Sequence, residues 1–193
     1  TWTGLSSPVP QSPKKNQTLW VSEVLWSHHA TQRLYVTLNG YRLDHFESYV
    51  FVTENDGRSW NRIGTSNAAG GIPSEPVNAI IESESHPDLL FVGTDGGGYA
   101  LDAGKTWGTL HPQMPKVPVH DLVIQERENE LVIGTHGRSI WVLDIDLLLN
   151  RWPADVRWVD SAPNHFVLDT LAEVTWSEKW GEKGWSWNAP IPV

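Results

Sequence analysis

Cysteine is absent from all 193 residues, which excludes disulfides and thiolate metal sites. Exported bacterial proteins often do without cysteine, so the compartment stays open. Basic residues are few: 14 Lys and Arg stand against 23 Asp and Glu, for a formal net charge of −9. A surface of that sign repels a phosphate backbone, and no basic run interleaved with aromatics offsets it, so nucleic acid is not an expected partner. No apolar run reaches the roughly 18 residues that suggest a membrane helix, so no membrane span is expected. Residues 1–5 also lack the charged and apolar regions of a signal peptide. His28-His29, His120 and His136 show no metal-ligand spacing, and neither a metal nor a cofactor is expected.

What is present is enough apolar material, 39% of the chain, for one sizeable core, and an excess of tryptophan. Six of the 12 tryptophans fall in residues 150–193 and mark that stretch as compositionally distinct.

Self-similarity organises the rest. Val21-Ser-Glu-Val-Leu-Trp26, Val77-Asn-Ala-Ile-Ile-Glu82 and Val119-His-Asp-Leu-Val-Ile124 are apolar runs at equivalent places. Each leads through a polar turn into a second run: Leu34–Thr37, Leu90–Thr94 and Leu131–Thr135. Third runs follow at Tyr49–Val52, Gly98–Leu101 and Ser139–Leu143. The longer first repeat is accounted for by an insertion at Asn39–Ser48. Asn39-Gly40, Asp95-Gly96-Gly97 and His136-Gly137 suit tight hairpins, because Asn and Gly tolerate positive φ. Short β-branched and aromatic strands between such turns predict antiparallel sheets, and a period of roughly 40 residues is that of propeller blades.

After the third run two repeats carry one further motif, Asn/Asp-x-Gly-x-Ser/Thr-Trp. It is formed by Asn55, Gly57, Ser59 and Trp60, and by Asp102, Gly104, Thr106 and Trp107. The Asx side chain accepts backbone N–H groups, glycine takes the left-handed conformation, the hydroxyl bonds locally and the indole covers apolar surface. These eight residues are expected to be structural.

The repeats and this motif resemble the Asp-box, or BNR, β-propeller family. Sialidases, xyloglucan-cleaving glycoside hydrolases, sortilin-type receptors and photosystem II assembly factors share it. The likeness is strongest to the C-terminal blades of bacterial glycosyl-hydrolase-like or sortilin-like proteins. It rests on Pro76-Val-Asn78, Leu90–Gly96, Pro118–Leu122 and Gly134–Val142. The implied fold is all-β: three four-stranded antiparallel blades of a partial propeller over 1–149, then an irregular Trp-rich tail or linker over 150–193. Thr1-Trp2 reads as the end of an earlier box, and Val142 is not followed by one. Periplasmic or secreted placement follows from the resemblance alone.

A propeller gathers its ligand site on the end that carries the strand 2–3 loops. That places Arg42, His45, Asn78, His120, His136 and Arg138 as candidate ligand-binding residues. Asp44, Asp95 and Asp121 are weak candidates for the paired carboxylates of glycoside hydrolysis, although each also reads as a solvated loop carboxylate. Arg138 can hold an anion or pair with a neighbouring carboxylate. In the tail, Arg157–Val159 and His165–Leu168 suggest short strands. The tryptophans of 175–187 suit either a stacking surface for sugar rings or a packing linker. Two functions remain open: a module binding or scaffolding a peptide or glycan, or part of a glycoside hydrolase whose catalytic residues lie elsewhere. Partners would include further blades or a second copy of the chain.

Overall fold

A computed structural model describes residues 10, 17–64, 70–87, 89–101, 107–110, 114–146, 149, 158–162 and 165–168. They form an all-β protein of serial antiparallel sheets. The first sheet is β1 (Trp20–Trp26), β2 (Leu34–Asn39), β3 (Tyr49–Thr53) and β4 (Asn61–Gly64). The second is β5 (Val77–Glu82), β6 (Leu90–Thr94), β7 (Gly97–Leu101) and β8 (Trp107–Thr109). The third is β9 (Val119–Gln125), β10 (Glu130–Thr135) and β11 (Ile140–Asp144). In each sheet, hydrogen-bonded neighbours follow chain order, an arrangement consistent with part of a β-propeller.

Strand period 2 gives each sheet two faces, and the faces that consecutive sheets turn to one another are apolar and closed. Tyr35, Val50 and Val52 of the first sheet pack with Val77, Ile80, Leu90, Val92 and Trp107 of the second. The opposite face of the second sheet, with Ala79, Phe91 and Ala100, packs on Val119, Leu122, Leu131, Ile133 and Leu143 of the third. On the outer face of the first sheet, Val36, Leu38 and Tyr49 cluster with Leu19 and Leu43. The chain therefore stacks its core in layers between sheets.

Three expectations change. The third sheet has three strands among the described residues, not four. After β11 the chain is tied back to the β9–β10 turn: Ile145 N–H bonds the Asn129 carbonyl, and Asn129 Nδ2 donates to Asp146. Leu149 N–H bonds the Ile145 carbonyl. Asn39-Gly40 does not close a tight hairpin, because Gly40 lies at φ −124 and opens a 3-10 turn, Tyr41–Leu43, that ends at Asp44 with φ 53. The tail is not wholly irregular: β12 (Trp158–Ala162) and β13 (His165–Leu168) pair as an antiparallel hairpin. The expected strand at 165–168 is present, and its partner lies slightly later than expected.

Candidate functional site

The two ends of the sheet stack differ. One carries the β1–β2 and β3–β4 connections, which meet where Asp56 N–H bonds the Gln32 carbonyl. The other carries the β2–β3 and β6–β7 connections and the segments entering β5 and β9. There Asp95 N–H bonds the Pro76 carbonyl and His136 N–H that of Pro118.

At this second end all three inner strands break register at the same place. The shift falls between Val21 and Glu23, between Val77 and Ala79, and between Val119 and Asp121. Ser22, Asn78 and His120 are the extra residues. A β-bulge re-aims a side chain while keeping the flanking pairs, so each sheet presents one polar group at this end. The Ser22 hydroxyl donates to the Val77 carbonyl at 2.7 Å. Asn78 accepts from Asn39 Nδ2 and donates to Asp95 at 2.9 Å and to the Val119 carbonyl at 3.2 Å. His120 and His136 bring their rings to 5.6 Å, and both are exposed. A polar row thus crosses three sheets.

The insertion adds aromatic surface beside this row. Asn39 Oδ1 accepts the Tyr41 N–H, and the Arg42 guanidinium lies 4.8 Å over the Trp20 ring. Trp20, Tyr41 and Phe46 are largely exposed. His45 takes a different place. It stacks on Tyr49 at 5.6 Å, with its Nε2 3.0 Å from the Tyr49 hydroxyl, and the Arg62 guanidinium lies 3.9 Å over the same ring. Asp44 and Arg138 are exposed, and the Arg138 carbonyl holds the Trp141 indole N–H at 2.8 Å.

Of the candidate carboxylates, Asp95 is tied to Asn78, whereas Asp121 is exposed. Sequence reasoning missed the most perturbed acid at this end, Glu23. Burial pushes its carboxyl above the usual range, the Ile80 N–H donating at 2.7 Å opposes this, and the charge of Asp121 adds to it. The signal was available, because Glu23 and Asp121 hold the same position in their repeats. Glu75 was missed too. It accepts the Thr94 hydroxyl at 2.6 Å and the Tyr99 hydroxyl at 3.1 Å, and burial together with that carboxylate raises the Tyr99 phenol. Among the described residues no three His, Cys, Asp or Glu side chains are grouped to hold a metal ion, and no helix is long and apolar enough to cross a membrane.

At the opposite end the Asn55 turn is closed by side chains. Ser59 N–H donates to Asn55 Oδ1 at 2.9 Å, Asn55 Nδ2 to the Ser59 hydroxyl at 2.8 Å, and Gly57 N–H to the Thr53 hydroxyl at 2.9 Å. Asp56 and Gly57 take φ 56 and 78. Asp102, Gly104 and Thr106 of the second motif lie outside the described residues. The two indoles sit on corresponding faces. Trp107 packs between the first and second sheets and donates from Nε1 to the Ile63 carbonyl at 2.8 Å, while Trp60 packs on the outer face of the first sheet and stays partly exposed.

No family model matches the sequence, and a comparison with curated proteins finds no match. Among solved structures the chain is similar to the crystal structure of a GH74 enzyme from Niastella koreensis. Identity is 14%, the TM-score is 0.48, and the match covers 63% of this chain and 21% of that one. The class defined by the sheets themselves is an all-β protein of stacked antiparallel sheets.

Proposed function

We propose that residues 1–149 belong to an Asp-box β-propeller that acts as a binding or scaffolding module for a peptide or glycan, within a larger exported bacterial protein. The observation that carries this reading is the polar row at the bulge end. Three inner strands present Ser22, Asn78 and His120 in register, with Asp95 and His136 alongside and the exposed rings of Trp20 and Tyr41 next to them. Hydrogen-bonding groups beside aromatic faces suit ligands that are part polar and part flat, as sugars and extended peptides are. Arg42, Arg138 and His120 belong to this surface. In the same reading the Asn55 and Asp102 motifs hold turns at the far end, and His45 supports Tyr49.

A second reading, part of a glycoside hydrolase, is favoured by one observation. Glu23 and Asp121 occupy equivalent positions on β1 and β9, and their charges interact, with Glu23 held toward its protonated form. A carboxyl whose proton affinity is raised, within electrostatic reach of a second carboxylate, is a feature that such hydrolysis uses.

Titration calorimetry with xyloglucan oligosaccharides, sialosides and a panel of extended peptides separates the two. The binding module is expected to give saturable heat with at least one probe and no product release. Trp20→Ala or Asn78→Ala should weaken that binding, and Asn55→Ala should leave it intact. Product release lost in both Glu23→Gln and Asp121→Asn would establish the hydrolase in its place. Absence of binding to every probe would defeat the peptide-or-glycan reading.

A further inference from the structure

The second sheet lies between the other two, and the turn it presents at the bulge end is held by more than its own backbone. Thr94-Asp95-Gly96-Gly97 joins β6 to β7, and Glu75-Pro76-Val77-Asn78 runs alongside it into β5. The two segments are bonded residue by residue. The Thr94 hydroxyl donates to the Glu75 carboxylate at 2.6 Å and accepts the Gly96 N–H at 3.1 Å. Asp95 N–H bonds the Pro76 carbonyl at 3.1 Å, and Asp95 Oδ1 accepts from Asn78 at 2.9 Å. The Tyr99 hydroxyl donates at 3.1 Å to the same Glu75 oxygen as Thr94. A Cβ on Gly96 would collide with the Glu75 carboxylate, so the glycine leaves the room that this acid fills.

The third sheet supplies the comparison. Val117 stands in the place of Glu75, Thr135 in that of Thr94 and His136 in that of Asp95. His136 N–H keeps the bond to the Pro118 carbonyl, but the Thr135 hydroxyl turns to the Ser139 carbonyl, and a Cβ on Gly137 would meet nothing within 4 Å. One turn is braced by an acid and the other is not. What the brace fixes is Asp95, whose Oδ2 has no bond among the described residues.

We propose that Glu75 is a positioning residue, which through Thr94 and Gly96 holds Asp95 as the fixed acceptor of this surface, with Asp95 Oδ2 receiving a hydroxyl or N–H of the ligand. The inference rests on the reading of the bulge end as a binding surface. A charged acceptor that is already oriented loses less freedom on binding than one that must first be ordered, so the brace bears on affinity without touching the ligand.

Amide hydrogen exchange on the full chain tests the brace without any ligand. In Glu75→Ala the Asp95 and Gly96 amides should exchange at least about tenfold faster, while the His136 amide, held by Pro118 in the unbraced turn, stays as in the parent. Glu75→Gln keeps an acceptor for both hydroxyls and should retain the protection. Gly96→Ala, which drives the carboxylate from its place, should act as Glu75→Ala does. Unchanged exchange at Asp95 in Glu75→Ala, or an equal rise at His136, overturns the proposal whatever the ligand. Calorimetry then uses whichever of the xyloglucan oligosaccharides, sialosides or extended peptides binds the parent. Asp95→Ala should weaken that binding about tenfold, the loss of one bond to a charged group, and Glu75→Ala by a smaller factor. The double variant should lose little more than Asp95→Ala alone, because the two act as one unit. Additive losses overturn the proposal, since Glu75 would then act without Asp95. If none of the probes binds the parent, it is the ligand reading that fails, and with it the role given to Asp95 Oδ2.

Discussion

At the scale of single residues, short side chains substitute for backbone ladders where the chain must turn. Asn55 accepts the Ser59 N–H and donates to its hydroxyl, while Thr53 holds the Gly57 N–H, so the β3–β4 connection is closed without a strand partner. Asn55→Ala is expected to cost about 1 kcal/mol, the magnitude of a lost local cap, measured as a lowered midpoint in urea. Glu23 sets a pH dependence of known sign. Its carboxyl is raised in the folded protein, chiefly by burial, so its contribution is fully present below the unfolded value of about 4.3 and is lost as pH rises through the folded value. Glu23→Gln should therefore gain stability relative to the parent at pH 7 compared with pH 4. An unchanged difference between the two pH values would mean that Glu23 is as solvated in the fold as in the unfolded chain.

At the scale of strands, legibility in the sequence followed from how local the cause was. The runs at Val77, Leu90 and Gly98 became β5, β6 and β7 because alternation and glycine turns act over a few residues. Asn39-Gly40 does not read as it folds, because the nine-residue connection closes on itself, Leu43 and His45 N–H both bonding the Gly40 carbonyl, and packs on the distant Leu19. A Cβ on Gly40 would sit 2.9 Å from Leu19, as well as 2.8 Å from the His45 carbonyl. That the third sheet has three strands among the described residues had a sequence sign, the absence of Gly-x-Ser/Thr-Trp after Val142, but the bond from Ile145 to Asn129 had none. At the candidate end, the common placement of Asp95 and His136 after the second strands and of Asn78 and His120 at the start of the first strands was legible from the repeat and the propeller resemblance. Trp20 was not, since its partner Arg42 comes from the insertion, and Glu23 was signalled only by its alignment with Asp121, gaining its burial and the Ile80 N–H when β1 lies beside β5. Gly93 shows the same dependence on a neighbouring sheet. A Cβ there would lie 2.5 Å from Val119 Cγ1 and 2.9 Å from its carbonyl oxygen, whereas at Gly134, the matching position of the third sheet, the nearest atom is 3.3 Å away. Gly93→Ala should destabilise the fold by about 1–3 kcal/mol through overpacking, and Gly134→Ala by clearly less, both read from denaturation midpoints.

For the whole molecule, apolar layers hold the sheets face to face, and one buried carboxylate fastens the first sheet to the second. Glu82, on β5, accepts the Ser27 hydroxyl at 3.0 Å, the His28 N–H at 2.7 Å and the Tyr35 hydroxyl at 2.9 Å, all from the first sheet. Burial and this carboxylate together raise the Tyr35 phenol. Removing the acceptor takes the partner from the buried Ser27 and Tyr35 hydroxyls and from the part-buried His28 N–H, so Glu82→Ala should cost about 3 kcal/mol or more. Hydrogen exchange should then show β1 and β2 losing protection ahead of β9 and β10. Uniform loss across all sheets would mean that the stack opens as one unit.

The aligned bulges carry a consequence for how such a molecule can change. Valine precedes the extra residue in all three inner strands, as Val21, Val77 and Val119, while the extra residue itself is Ser22, Asn78 or His120. The anchoring valine is the same in each strand, buried at Val77 and Val119 and half exposed at Val21, and the polar position beside it differs each time. Each sheet therefore works as an interchangeable cartridge with one exchangeable tip. The polar residue at each tip could be exchanged, or a cartridge duplicated and its tip replaced, while the hydrophobic layers behind it stay as they are.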